Sequence, residues 1–328
     1  MHSDAQKTSS VSLASYVEHV ADRYGPVTWI DDLPWQVIRG KLTPLAMPHV
    51  RRPVDPQKIR SAMAETCARV AVWSDQWDTA PCQWWWLCCD DPTYDISHIP
   101  KRGKRKDVRR GLDRCEVRRI DADLFAEHGY AVYEAAFEHY GAETTRISAD
   151  AFAQDVLQNA EYPGRETWGA FVADKLVAYI TCVIVDDAVG LSAGKSDLAY
   201  RNAQPNNALI YTLTQHYLTE RGLRYATGGE RVLLHESNIQ DFLEMLGYRR
   251  VYCPLRAIVH PALSAVVSTG VARWGKYLGL GKVFPGPMGK LHAVAELIRI
   301  ARACENVGSG GEEPVTQDDR AQADGEGE

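Results

Sequence analysis

The feature that most constrains the fold is the order of secondary-structure elements predicted between Thr167 and Leu255. Apolar runs bounded by turn signals indicate strands, and apolar residues spaced at i, i+4 and i+8 indicate a helix. A basic residue followed by glycine, Arg221-Gly222, is typical of a helix C-terminus. The predicted order is strands 167–172, 176–185 and 188–192, a helix through Leu209, Leu213 and Tyr217, strand 223–227, helix 237–246 and strand 249–255.

Upstream of this region, residues 115–120 are predicted as a strand, followed by helices at 122–140 and 148–160. With the segments GAFVADKLVAYI, NNALIYTLTQHYLTERGL and NIQDFLEMLGY, this order resembles the GNAT superfamily of acyl-CoA-dependent N-acyltransferases. The basic segment KRGKRKDVRR, which starts at Lys101, precedes the first strand. It makes the chain most similar to the branch of Fem-type aminoacyl transferases and BioF2-like acetyltransferases. The resemblance covers residues 100–258.

The resemblance implies an α/β (α+β) fold with a mixed, mostly antiparallel central sheet flanked by helices. It also implies that residues 1–100 form an accessory lobe, or a degenerate copy of the same domain, ahead of an acyltransferase domain at 101–260. Residues 261–304 are predicted as a basic amphipathic segment, which either packs back on the domain or contacts a membrane surface. Residues 305–328 hold eight acidic residues and one arginine and are predicted to be disordered.

The predicted carrier site follows from where the superfamily places coenzyme A. Pantetheine pairs with the strand that ends in Leu191, Ser192, Ala193 and Gly194, and the phosphates lie at the start of the next helix. This sequence lacks the superfamily's glycine-rich phosphate loop and has Tyr200-Arg201-Asn202-Ala203-Gln204-Pro205 instead. Either Asn206 or Asn207 is predicted to cap the helix, with Pro205 in its first turn. The predicted cofactor-binding residues are Leu191, Ser192, Ala193, Gly194, Arg201, Asn202, Asn206 and Asn207.

Candidate groups for proton transfer lie close to the same strands. Leu243 stands where many members of the superfamily carry a tyrosine, so that residue's role does not carry over. The predicted catalytic residues are Glu230, His235 and Tyr200, since a carboxylate or imidazole at a strand end can act as a general base. The alternative is that Glu230 is a solvated turn residue and that His235 belongs to a helix cap.

The basic run at residues 101–119 contains ten positive and three negative residues. It is either a solvated basic helix or a surface for an anionic partner: a tRNA acceptor stem, coenzyme A phosphates or anionic lipid. The eight cysteines show no Cys-x-x-Cys pair and no zinc-finger spacing, so no metal is expected. Residues 1–10 are polar and no apolar run approaches a membrane span, which predicts a cytoplasmic protein, at most peripheral to a membrane.

The function implied by the resemblance is N-acyl transfer, with acetyl-CoA or another acyl-CoA as donor and an amine on a small molecule or peptide as acceptor. Direct attack in a ternary complex is expected, because the sequence contains no Gly-x-Ser-x-Gly nucleophile motif. One alternative is a Fem-like transferase that takes its acyl group from aminoacyl-tRNA. Another is a degenerate GNAT domain that acts as a binding or scaffold protein.

Overall fold

The computed structural model describes residues 11–138, 146–233, 239–268 and 285–309. The strands are β1 (Thr28–Ile30), β2 (Leu33–Ile38), β3 (Lys41–Pro44), β4 (Val70–Ser74), β5 (Trp85–Cys89), β6 (Glu116–Ile120), β7 (Arg165–Val172), β8 (Lys175–Val185), β9 (Ala188–Ser196), β10 (Tyr225–Glu230), β11 (Arg249–Tyr252) and β12 (Leu255–Val259). The helices are α1 (Leu13–Tyr24), α2 (Pro56–Glu65), α3 (Arg102–Arg114), α4 (Ala122–Phe137), α5 (Ala149–Asn159), α6 (Pro205–Gln215), α7 (Ile239–Glu244), α8 (Pro261–Ser268) and α9 (Pro285–Ser309).

The strands form two sheets that exchange strands across residue 100. A seven-stranded sheet has the order β11-β5-β10-β9-β8-β7-β6, and a five-stranded sheet has the order β1-β2-β3-β4-β12. Most pairs are antiparallel, whereas β9 with β10 and β3 with β4 are parallel. The predicted mixed, mostly antiparallel architecture is therefore confirmed. The boundary near residue 100 stays a prediction, since β5 lies in the seven-stranded sheet and β12 in the five-stranded sheet.

The single strand predicted at 249–255 is wrong. The structure has β11 in the seven-stranded sheet, paired with β5, and β12 in the five-stranded sheet, paired with β4. Pro254 separates the two strands. Because proline has no backbone N–H to donate to a ladder, it is a natural point for the chain to leave one sheet and enter another.

The core of the seven-stranded sheet depends on α6. Its predicted stripe of Leu209, Leu213 and Tyr217 is fully buried and packs in the largest apolar cluster of the described residues. A short π-helical turn, His216–Glu220, extends α6, and Gly222 with φ of 65° ends it as predicted. This packing fixes the direction of α6, whose two ends lie beside the two sites described below.

The C-terminal helix α9 packs against the five-stranded sheet. Leu297, Ile300 and Cys304 are buried in one cluster with Val70 and Leu255. Of the two alternatives for residues 261–304, the described part therefore packs back on the protein; residues 269–284 and 310–328 lie outside the described residues. Within the described ranges, no helix has the length and apolarity that crossing a membrane requires.

The basic helix α3 crosses α6 at a glycine. A Cβ at Gly111 would lie 2.7 Å from the Gln204 carbonyl oxygen, whereas a Cβ at Gly103 would meet nothing within 4 Å. We expect Gly111→Ala to lower the free energy of unfolding by about 1–3 kcal/mol through overpacking. The matched Gly103→Ala variant should raise it by up to about 1 kcal/mol, because alanine is the better helix former. Urea denaturation of both variants measures this, and equal effects would contradict the close α3–α6 packing.

Candidate functional site

A cleft opens where β9 and β10 separate. The two strands pair in parallel only from Ala188 with Tyr225 to Gly190 with Thr227. Beyond that point β9 continues to Ser196 alongside β8, while β10 continues alongside β5. A central strand of the sheet thus has an edge that faces a gap. We call this gap the β9–β10 cleft.

Two consecutive glycines explain why β10 turns away. The register of β10 against β5 shifts between Thr227 and Glu230, which marks a β-bulge. Gly229 has φ of 92°, a backbone conformation that side chains disfavour, and Thr227 Oγ1 accepts a hydrogen bond from the Gly229 N–H at 3.0 Å. A Cβ at Gly228 would overlap Leu243 Cδ1, so the buried Leu243 fills the space beside the bulge.

The four carrier-site residues predicted on β9 lie along the cleft. Leu191 pairs with Cys182 and Ala193 with Thr181, so Ser192 is the extra residue of a second bulge. Residues 192–194 are exposed although their strand is central in the sheet. Their backbone is therefore accessible to an extended ligand from the β10 side.

At the far end of β9, the start of α6 differs from the prediction. The helix begins at Pro205, and its N-cap is Gln204, with φ of 60° and ψ of 41°, so neither asparagine caps it. Asn207 instead lies in the first turn of the helix: its Nδ2 donates to Gln204 Oε1 at 2.6 Å, and its buried Oδ1 has no partner among the described residues. Asn206 Nδ2 donates to Ser196 Oγ at 3.1 Å and links the helix to β9.

Positive charge surrounds this helix start. Arg114, at the end of α3, donates from Nη1 to the carbonyl oxygen of Asn202 at 3.0 Å. Arg201 is exposed in the same loop, and Arg109 and Arg110 are exposed on α3. The structure thus brings the predicted residues Arg201, Asn202 and Asn206 together with the C-terminal part of the basic run. With the positive end of the α6 dipole, this surface suits phosphate.

Glu230 lies at the end of β10, beside two cations from the five-stranded sheet region. Its side chain reaches solvent, yet protein surrounds it closely enough for desolvation to raise its pKa, an effect that the positive charges of Arg51 and Lys41 oppose. Arg51 lies over the Trp86 ring at 5.3 Å and donates from Nε to the Ala46 carbonyl oxygen at 2.8 Å.

The other predicted catalytic residues do not join Glu230. Tyr200 lies in a short 3-10 helix, Leu198–Ala203, with Lys175 Nζ 4.9 Å from its ring centroid. Lys175 belongs to β8, which flanks β9 on the side opposite β10. His235 lies outside the described residues.

Arg51 was missed from the sequence. Burial lowers its pKa to about 10, so the guanidinium stays cationic at neutral pH. The pair Arg51-Arg52 in a proline-rich stretch carries no local signal of function, and the effect of Arg51 on Glu230 arises only when the two sheets pack. Beside Arg51, the buried indole Nε1 of Trp86 has no hydrogen-bond partner among the described residues.

The described residues contain no group of three or more His, Cys, Asp or Glu side chains able to hold a metal ion. The charged groups found at the β9–β10 cleft are guanidinium, ammonium and carboxylate. Such groups can bind an anionic carrier and move a proton.

Comparison with known proteins gives the fold. No family model matches the sequence, and no curated protein matches it. The C-terminal domain of a proposed lysylphosphatidylglycerol synthetase from Agrobacterium fabrum superposes with a TM-score of 0.50 at 12% identity, over 82% of this chain and 97% of that one. FemX superposes with a TM-score of 0.49 at 12% identity, over 76% of this chain and 94% of that one.

A smaller protein, an acetyltransferase from Thermus thermophilus, superposes on 44% of this chain and 97% of its own, with 12% identity and a TM-score of 0.34. At these identities the likeness concerns the fold alone. Together with the strand order, the likeness to the synthetase domain confirms a fold with helices on a mixed, mostly antiparallel sheet.

Proposed function

We propose that this protein is an acyltransferase that moves an acyl group from a phosphate-bearing carrier to an amine. The observation that carries the proposal is the β9–β10 cleft, whose exposed strand leads directly to a cationic helix start. An extended carrier arm along residues 192–194 would place its phosphates near Arg114 and Arg201. Its acyl carbonyl would then lie deeper in the cleft, between β9 and β10.

In this proposal Glu230 is the general base. The amine nitrogen attacks the acyl carbonyl while Glu230 accepts its proton. The carbonyl–carrier bond then breaks, and the carrier leaves as the thiolate of coenzyme A, or as the hydroxyl of a tRNA ribose that takes back the proton from Glu230. A raised pKa suits the role, because a carboxylate with a higher pKa accepts a proton more readily at neutral pH. Backbone N–H groups at the open edge of β9 can stabilise the oxyanion that forms on the carbonyl.

Acyl-CoA is the first candidate donor. Aminoacyl-tRNA is the second, and two features of the helix start favour it. Pro205 has no N–H, and the N–H groups of Asn207 and Ala208 bond the Gln204 carbonyl oxygen at 3.1 and 3.2 Å, so the first turn offers few backbone donors to a pyrophosphate. The exposed guanidinium groups of α3 offer instead a side-chain surface of the kind that binds a nucleic-acid backbone.

Calorimetry with acetyl-CoA and, separately, with aminoacyl-tRNA tests the proposal. We expect the wild type to bind one of them, and the Arg114→Ala, Arg201→Ala double variant to bind it about 10- to 100-fold more weakly, since two charge-assisted contacts are lost. Arg60→Ala, which removes an exposed arginine on α2, is the matched control and should bind like the wild type. Binding of neither donor would remove the transferase proposal and leave the scaffold alternative.

A further inference from the structure

A second cavity lies at the opposite end of the seven-stranded sheet from the β9–β10 cleft. It encloses about 960 Å³ beside the ends of β6 and β7 and the π-helical end of α6. Since α6 has 11 residues before this turn, the cavity is about 16 Å along the helix from the cationic helix start. Its volume is within the range of small-molecule sites. We infer that this cavity binds a small organic anion with an apolar body.

One wall of the cavity is apolar. Ile120, Phe125, Phe152 and Val156 line it and belong to one apolar cluster of β6, α4 and α5. Phe125 and Phe152 contact each other edge to face, with ring centroids 5.3 Å apart, which holds this wall in place. This wall suits an alkyl or aryl group.

The carboxylates of the other wall already have partners. Asp121 caps α4, Asp155 pairs with Arg23 at 2.6 Å, and Glu220 accepts from His216 Nδ1 at 2.7 Å. Glu166 is fixed from three sides: the partners of its carboxylate are Tyr217 Oη at 2.7 Å, Arg221 Nη1 at 2.9 Å and Arg119 Nη1 at 3.3 Å. The acidic groups therefore leave little capacity to attract a cation.

The guanidinium groups, in contrast, have donors to spare. Arg119 is 56% exposed, and the contact that it makes with Glu166 is a long one. Arg165 lines the cavity half-buried, and no carboxylate among the described residues pairs with it. An arginine presents five N–H donors and no acceptor. The ligand that complements these donors is an acceptor-only head group, a carboxylate or a phosphate monoester.

The π-helical turn places part of this wall. The N–H of Arg221 bonds the His216 carbonyl oxygen at 2.9 Å, the five-residue step of a π turn, and π turns occur frequently at functional sites. The turn brings Arg221 to Glu166. Tyr217 stays buried, and its hydroxyl accepts a hydrogen bond from Trp168 Nε1 at 3.0 Å. The polar wall is thus anchored to the core before any ligand binds.

Calorimetry of the full chain with octanoate and with octyl phosphate tests the inference and distinguishes the two head groups. We expect at least one of them to bind, and octanol and octylamine not to bind. Arg165→Ala should weaken binding about tenfold, and Arg165→Lys should restore part of it, because the charge returns without the planar fork. Arg118→Ala is the matched control. Arg118 lies next to Arg119 on β6, but its guanidinium stacks over the Phe171 ring at 4.0 Å and does not line the cavity.

A second variant keeps the test decisive if Arg165→Ala fails to fold. Ala160 is exposed and lines the cavity, so Ala160→Trp should occupy space there and abolish binding without loss of the folded state, as judged by circular dichroism. Binding should persist in the Arg114→Ala, Arg201→Ala variant, which separates this site from the carrier site. The inference is overturned if neither anion binds the wild type, if Arg165→Ala and Arg118→Ala bind equally well, or if the carrier-site variant loses binding.

Discussion

Glu230→Gln is expected to lower the turnover of acyl transfer by about 10²- to 10⁴-fold, the usual contribution of a general base. Glutamine keeps the shape of the side chain but cannot accept the amine proton. Donor binding should change little, because the proposed phosphate site is at the α6 helix start and not at Glu230. Turnover is measured as release of the free carrier, with whichever donor binds in the calorimetric experiment and an excess of a primary amine.

Stability provides the control for this variant. Desolvation raises the pKa of Glu230, so the folded protein holds this proton more tightly than the unfolded chain does. The resulting stability is fully present at low pH and is lost as the pH rises through the folded-state pKa. Glu230→Gln should therefore unfold at the same or a higher temperature than the wild type at neutral pH. Full turnover in this variant would exclude Glu230 as the base.

The parts of the site that lie within one chain segment could be predicted from the sequence. Apolar runs gave β7, β8 and the start of β9, and the helical stripe gave α6. Residues 191–194 do lie along the cleft, and Arg201 does lie beside the helix start. The local sequence pattern predicts these elements correctly, because the hydrophobic period of a strand or a helix depends on residues that are close together in the sequence.

The errors arose where tertiary contacts decide the outcome. Gln204 became the N-cap through a left-handed backbone, although the asparagines that follow are the better capping residues. Its carbonyl lies against Gly111 of α3, a contact between residues far apart in sequence. Ser196 ends β9 later than predicted, because pairing with Ala178 of β8 extends the strand through a glycine.

Arg51 shows most clearly what the sequence could not provide. Its charge acts on Glu230 because β5 joins the sheet of β10, while strands before β5 and the strand β12 form the five-stranded sheet. This exchange of strands brings the two regions together around Trp86, and the Arg51 guanidinium lies over the Trp86 ring. No periodicity in one segment reports on such an exchange, so the electrostatic partner of the proposed base emerges only from the assembled fold.

Arg51→Met is expected to move the acidic limb of the pH–rate profile to higher pH. The positive charge of Arg51 lowers the pKa of Glu230, so removing that charge lets the pKa rise further. A general base works as the carboxylate, and a higher pKa means that a higher pH is needed to reach the same ionised fraction. The rate at a pH on this limb should therefore fall, while the rate on the plateau should be retained or rise slightly.

The same substitution should also cost stability. It removes the hydrogen bond to the Ala46 carbonyl oxygen and the contact of the guanidinium with Trp86, which together are worth about 1–3 kcal/mol. Arg51→Lys is the matched control, because it keeps the charge and loses the planar fork. It should share much of the stability loss and leave the acidic limb near its wild-type position.

Lys41→Met provides the graded comparison. Lys41 is the weaker of the two cations that lower the pKa of Glu230, so its removal should shift the limb in the same direction as Arg51→Met, but less. If Arg51→Lys and Arg51→Met both lose stability and shift the acidic limb equally, then Arg51 acts on Glu230 through packing and not through its charge. If the shift of the limb instead follows the charge, decreasing in the order Arg51→Met, Lys41→Met, Arg51→Lys, then Arg51 and Lys41 set the ionisation of Glu230 by their charge.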